Sequence, residues 1–358
     1  MPQPSEPAPA VGSFDHMVCF AALYEAHRAA RRGKGQTHEV LAFEADLAAN
    51  LCALSEELVS GTYRPGPYAH FVVREPKVRQ IFAPSYRDRV VQHALCDTVL
   101  APALDKRLIY DNAACRVGKG TSFALDRLAL FLREHFHRHG PDGYVLKLDV
   151  HHYFASIRHD VLLAQLGRVF RDERVRSLLG RVVASYEESP GVGLPLGNQA
   201  SQWFALLYLD PLDRLVKERL GVRAYTRYMD DAVLIHPSKP FLDECLATLR
   251  DAAAGVGLRL NAKTQVFPLS AGIRYLGFHS RLTPAGRVVR RLSRPTKVRL
   301  RRSVRRLQAG YAAGALTAPD VRQGVAGYLG HLGQGDTYAL RRAILRPTVW
   351  LGVEPATA

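Results

Sequence analysis

Tyr228-Met229-Asp230-Asp231 constrains this chain more than any other stretch. Two adjacent carboxylates stand between two short runs, Arg223–Tyr228 and Ala232–Ile235, that are rich in strand-forming residues. Such an arrangement predicts a β-hairpin whose tight turn carries both aspartates. Paired acids at a turn suit a hard cation, because Mg²⁺ takes oxygen ligands, usually one or two of them carboxylates, and leaves positions for water and phosphate. Taken alone, an Asp-Asp pair is better explained by turn chemistry. The reading therefore depends on a third acid.

Asp149 ends the run Gly143-Tyr-Val-Leu-Lys-Leu-Asp149. Alternation puts Tyr144, Leu146 and Leu148 on one face and Val145, Lys147 and Asp149 on the other, the pattern of a strand packed on one side. If this strand lies beside the hairpin, three carboxylates converge. A cluster of that kind can clamp two metal ions for an in-line phosphoryl transfer, the chemistry of a polymerase.

Several motifs follow one another in a familiar order. An aromatic, Phe154, stands five residues after Asp149; Leu196-Gly-Asn-Gln-Ala-Ser-Gln202 opens a helix; Tyr-Met-Asp-Asp comes next. Glu75-Pro-Lys-Val-Arg79, Asp88–Leu95 and Ala114–Thr121 precede them. From about Phe14 onward the chain resembles a reverse transcriptase, and its Ser201-Gln202 pair makes it similar to the diversity-generating retroelement type, a prokaryotic, group II intron-like class. The resemblance implies an α+β right-hand polymerase, with an antiparallel palm sheet carrying helices on one face. It divides the chain into a leader over 1–13, fingers and palm over 14–280 and a helical thumb over 281–358.

Site roles follow from the same resemblance. Asp149, Asp230 and Asp231 would bind two Mg²⁺ ions, with Mn²⁺ as a substitute, and Lys263 would assist the pyrophosphate leaving group as a general acid. Lys77 and Arg79, two apart on a hairpin around Pro76, would hold the triphosphate. Phe154 would exclude a 2′-hydroxyl, and Gly197 and Gln202 would lie against the nascent pair. Ser201, Arg116 and Lys119 would meet the template, and Arg301, Arg302 and Arg305 would grip the duplex. The expected partners are template RNA, a primer or cDNA strand, deoxynucleoside triphosphates and an accessory oligomeric RNA-binding protein.

Composition agrees with a polyanionic partner. The formal charge is +16 with a pI near 9.9, and Lys and Arg gain affinity for nucleic acid by releasing counterions from phosphates. No Asp or Glu occurs from Ala252 to Pro319, where Leu300, Val304 and Leu307 form an apolar stripe on a helix crowded with arginine. A membrane surface is the rival for such a helix, but the stripe is thin and lacks aromatics. Five dispersed cysteines, no N-terminal signal pattern and no long apolar run predict a cytoplasmic protein without a membrane span.

Other signals carry less. Gly118-Lys-Gly-Thr121 is not a phosphate loop, since position 113, where that motif needs glycine, is Ala113. His135-Phe-His137-Arg-His139 reads as a solvated helix end, and His151 and His152 are not the oxygen ligands that Mg²⁺ requires. Arg87 and Arg89 fit template contacts or structural ion pairs equally. The rival functions are a defence reverse transcriptase with the same chemistry, a silent RNA-binding scaffold, and a two-metal nuclease, which gives no reason for a triphosphate hairpin or a sugar gate.

Overall fold

A computed structural model describes residues 13–74 and 78–345 of the chain. Lys77 and all of the expected leader except Ser13 lie outside the described residues. The N-terminal part is helical, with α1 (Phe14–Val18), α2 (Phe20–Ala30), α3 (His38–Glu44) and α4 (Leu47–Val59). Spacing predicts two helices here, over Phe14–Arg32 and Val40–Val59, and each is interrupted once. Cys19 is extended at φ −66° and ψ 150°, which resets the helical phase so that Phe14, Met17 and Val18 bury as well as Leu23, Ala26 and Ala30. Asp46, at φ −137° and ψ 58°, separates α3 from α4 in the same way.

Strands β1 (Ala69–Val73) and β2 (Arg79–Ala83) form the expected hairpin, with Val73 opposite Arg79. A nearly continuous helix follows, α5 (Tyr86–Leu95) running through a π-helical turn, Cys96–Leu100, into α6 (Ala101–Arg107). The sequence placed one helix over Asp88–Leu104. Next come α7 (Thr121–His139), β3 (Tyr144–Leu148), α8 (His159–Val169), α9 (Glu173–Val183), α10 (Gln199–Tyr208) and α11 (Asp210–Arg214). The sequence pattern predicts a single helix after the Val192–Gly197 loop, running to about Leu220. It breaks at Leu209 because Pro211, having no N–H, suits the first turn of a new helix better than the interior of an old one.

The chain continues through β4 (Tyr225–Tyr228), β5 (Asp231–His236), α12 (Lys239–Gly255), β6 (Gln265–Pro268), β7 (Ile273–Tyr275), β8 (Phe278–Leu282) and β9 (Val288–Leu292), then α13 (Arg294–Ala312), α14 (Ala318–Leu332) and α15 (Tyr338–Leu345). The result is a mixed α+β fold whose paired strands are antiparallel. Among the described residues no helix is long and apolar enough to cross a membrane.

Two compact units interleave along the chain. The first draws on Met1–Val117, Asp149–Gly221 and Ala247–Ala262. Its core is helical, with α2 against α5 and α10 against both α5 and α8. Asp88, 1% exposed, anchors it by accepting hydrogen bonds from Tyr63 Oη at 2.8 Å, Gly66 N at 2.9 Å and Ser85 Oγ at 2.8 Å.

The second unit draws on Gly118–Leu148, Val222–Leu246 and Lys263–Ala358. It contains a sheet in the order β4-β5-β3-β6 and another in the order β7-β8-β9. Helix α7 packs on β4 and β5 through a stripe that includes Leu128, Phe131 and Leu132. Strand β3 was expected to bury one face, yet Val145 and Leu146 are both fully buried, so both faces of its middle are covered. In α13 the expected segregation holds, with Leu300 and Val304 buried and Arg301, Arg302 and Arg305 exposed.

Candidate active site

The two aspartates stand where the hairpin register puts them. Tyr228 pairs with Asp231, so Met229 and Asp230 form a two-residue turn, and Asp231 is the first residue of β5. Turns that match the twist of antiparallel strands need a positive φ at the first turn residue. Met229 adopts it, at φ 57°. A side chain in that region is strained, and Arg227, 2% exposed, braces the turn by donating from Nη1 to the Met229 carbonyl at 2.8 Å.

Register also decides what faces Asp231. Lys147 lies opposite Val233, so period-two alternation puts Lys147, Val233 and Asp231 on one face of the sheet. Lys147 Nζ is 3.4 Å from Asp231 Oδ2, and it donates to the carbonyl of Arg274. Burial, and next the charge of Asp231, push the Tyr275 phenol well above its ordinary pKa. Sequence reading placed Lys147 on the face of Asp149 but assigned it no role, and it passed over Arg227.

Asp149 follows the last residue of β3, Leu148, which pairs with Ala232. Its carbonyl accepts from Asn261 N at 2.7 Å, and Val150 bridges to Leu260. Phe154, half-buried in a 3₁₀ turn (Phe154–Ser156), meets Tyr153 edge-on with ring centroids 5.7 Å apart. Lys263 is exposed just before β6.

The loop before α10 serves the hairpin. Phe82 N donates to the Leu196 carbonyl at 2.7 Å, and Gly197, at φ 113°, lies so close to β2 that a Cβ there would meet Ile81 Cγ2 at 2.8 Å. Its missing side chain therefore has an intramolecular use. Asn198 caps α10 by accepting from Ser201 N, and donates to Tyr68 Oη at 3.2 Å. Gln202 is half-buried, with Cys115 Sγ 3.5 Å from its Oε1.

Some expected contact residues are differently employed. Arg116 is buried, with its guanidinium donating to Asp105 and to the carbonyls of Ile109 and Asn112, so it closes the turn after α6 and does not present itself to a template. Ser201 is 1% exposed and packs inside α10's core face. Arg87 pairs with Glu57 and Arg89 with Glu39, the structural of their two readings. His135 is buried with Nε2 donating to the Asp142 carbonyl at 2.7 Å, whereas His137 and His139 are exposed, so only part of that tract is a solvated helix end. It lies on the stripe that α7 turns to the sheet. Arg79 is exposed at the start of β2, and Lys119 Nζ sits 5.0 Å from the Phe123 ring centroid.

The reverse transcriptase (RNA-dependent DNA polymerase) family matches residues 74–280, more than half of the chain. The chain belongs to the reverse transcriptase family. It is thus an RNA-directed DNA polymerase by class, of the right-hand polymerase fold, in a family that binds template RNA and nucleotides and generally uses divalent ions. Protein YkfC of Escherichia coli (strain K12) is 25% identical over 320 residues, covering 77% of this reverse transcriptase and 80% of YkfC. Telomerase from Candida albicans, solved with a TWJ fragment of telomeric RNA, is similar at TM-score 0.49 and 13% identity, over 79% of this chain and 55% of that one. Apo telomerase from Candida tropicalis, truncated from its C-terminal domain, is similar at 0.47 and 12%, over 65% and 58%. The chain spans somewhat more than half the length of these two telomerase chains.

Proposed function

We propose that this reverse transcriptase makes error-prone cDNA from a template RNA in a diversity-generating retroelement, with Asp149, Asp230 and Asp231 as its Mg²⁺ ligands. The observation that carries the catalytic part is the hairpin itself, which puts two carboxylates at a braced turn beside the strand that leads into Asp149. The donor set fits the ion. All three ligands are hard carboxylate oxygens, and the Asp231 side chain is 29% exposed. Among the described residues no group of three or more His, Cys, Asp or Glu forms a ready cage. Mg²⁺ does not require one, because water and substrate phosphates complete its shell.

Two such ions, when bound, would activate a primer 3′-hydroxyl and offset the charge on leaving pyrophosphate. The protein's own work is positional. Arg79 at the start of β2 and Lys77, two residues before it in the sequence, hold the triphosphate, Arg by its fork and Lys as a point charge. Phe154 leaves no room for a 2′-hydroxyl, Gly197 and Gln202 border the nascent pair, and Lys263 donates a proton to the leaving group. Arg301, Arg302 and Arg305, exposed along one side of α13, contact duplex phosphates without reading sequence, and Lys119 takes a template phosphate. An accessory oligomeric RNA-binding protein and a cytoplasmic location complete the reading, with 281–358 as the thumb.

Primer extension on RNA with Mg²⁺ tests it, comparing the natural chain with Asp230→Asn plus Asp231→Asn and sequencing the product. Extension should vanish in the double variant, with errors concentrated at template adenines. Faithful copying would indicate a defence enzyme. Intact RNA binding without extension, even with the native RNA and neighbouring gene product supplied, would indicate a silent scaffold.

A further inference from the structure

We propose that Lys147 is a positioning residue for Asp231, pairing with that carboxylate and tying it to the β7–β8 hairpin. The inference rests on the reading of Asp231 as a metal ligand and adds a control on how that ligand is presented.

Three contacts fix the ammonium. It lies 3.4 Å from Asp231 Oδ2, donates to the carbonyl of Arg274, the middle residue of β7, and stands 6.0 Å from the centroid of the Tyr275 ring. Only 25% of the Lys147 side chain is exposed. A lysine kept for solubility would extend into water, since ordering its long stem costs rotamer entropy. Here the stem crosses the sheet face diagonally from β3 to the first residue of β5, a reach open to long side chains.

The placement has two effects on Asp231. Partners of a ligating carboxylate, here an ion-paired ammonium, orient it, and losing one typically costs about 10–100-fold in metal affinity or activity. A positive charge beside a ligand oxygen also repels a dication, and partial burial screens that repulsion less than water would. Lys147 therefore trades affinity for orientation. The bond to Arg274 adds a mechanical link. Tyr275 is followed by a turn at Leu276 and Gly277, both at positive φ, that opens the hairpin onto β8. Movement of that hairpin is transmitted through one side chain to the carboxylate.

The test measures ion binding apart from turnover. Mn²⁺ with a non-hydrolysable deoxynucleotide is titrated by loss of the free-ion EPR signal, for the natural chain, Lys147→Met and Lys147→Arg. Primer extension is followed in parallel. Lys147→Met should bind Mn²⁺ about three- to tenfold more tightly, the charge effect, while kcat at saturating ion falls about 10–100-fold. Lys147→Arg should restore Mn²⁺ affinity toward that of the natural chain and recover part of kcat. Lys147→Gln replaces the Met variant if circular dichroism shows that the latter is unfolded. Unchanged Mn²⁺ binding in the uncharged variant would overturn the proposal, even if its melting temperature fell, because a mere structural staple predicts that result. Asp230→Asn plus Asp231→Asn is the control. If it binds Mn²⁺ as well as the natural chain, the failure lies in the assignment of the ligands, whereas lost binding there with no effect of Lys147→Met isolates the failure to Lys147.

Discussion

The buried Arg227 guanidinium donates to the carbonyl oxygen of Met229 at 2.8 Å, joining the penultimate residue of strand β4 to the residue before the two aspartates. A charged donor to a carbonyl contributes about 1.5–3 kcal/mol. Arg227→Met should therefore lower stability by about 2 kcal/mol in urea unfolding, and should reduce primer extension by more than the loss of folded protein explains. Equal losses of folding and activity would remove the turn-bracing role.

Met229 makes the opposite prediction. A side chain at φ 57° costs about 1–2 kcal/mol, and glycine avoids that cost while losing about 0.5–1 kcal/mol of chain entropy. Met229→Gly should raise the unfolding free energy by about 0.5 kcal/mol. A loss above about 1 kcal/mol would show that the Met229 side chain, and not its backbone, holds the turn.

Gly197 tolerates no such exchange. Its φ of 113° is accessible to glycine almost alone, and an added Cβ would press on Ile81 and on the Phe82 carbonyl oxygen, 3.2 Å away. Strain of this kind costs about 1–3 kcal/mol. Gly197→Ala should destabilise by at least about 2 kcal/mol, and limited proteolysis should open the β1–β2 hairpin first.

Asp88 receives three hydrogen bonds in the first unit. Asp88→Ala strands the buried Tyr63 hydroxyl, at about 1–3 kcal/mol for a buried donor left unmatched, and also the half-buried Gly66 N–H and Ser85 hydroxyl, which lose less because water reaches them. Calorimetry should show a loss of about 3 kcal/mol or more, with Tyr63→Phe losing less because only one partner goes.

Acid should weaken the fold through its histidines. Burial holds His27, His236 and His331 below the ordinary 6.5; His139 and His135 further oppose charge on His236, and Arg299 opposes it on His331. Glu44 on His27 and the Ser238 carbonyl on His236 act in the other direction. The unfolded chain thus binds more protons than the native one below about pH 6.5, so stability is full above that value and declines as pH falls through it. Thermal unfolding at pH 7.5 and 5.5 should show the drop, and His236→Gln plus His331→Gln should reduce it.

What the sequence determined by itself is local. Strand runs on either side of Asp230-Asp231, the alternation from Tyr144 to Leu148 and the Leu300–Val304 stripe are each encoded within about ten residues, since period and turn chemistry act between near neighbours. Tertiary structure alone decided partners. Periodicity tells which face a side chain takes, not what stands opposite, so Arg116 could look like a template contact until Asp105 and the carbonyls of Ile109 and Asn112 took up its donors. Gly197 could be read from the sequence as a glycine that lets a ligand approach, but that its Cβ side faces Ile81, more than a hundred residues earlier, only the fold shows. Lys147 meets Asp231 only because β3 pairs with β5 in one register, and a slip of one residue would turn it to the other face. The acids were written in the chain; the lysine that stands beside Asp231 was chosen by the packing of distant strands.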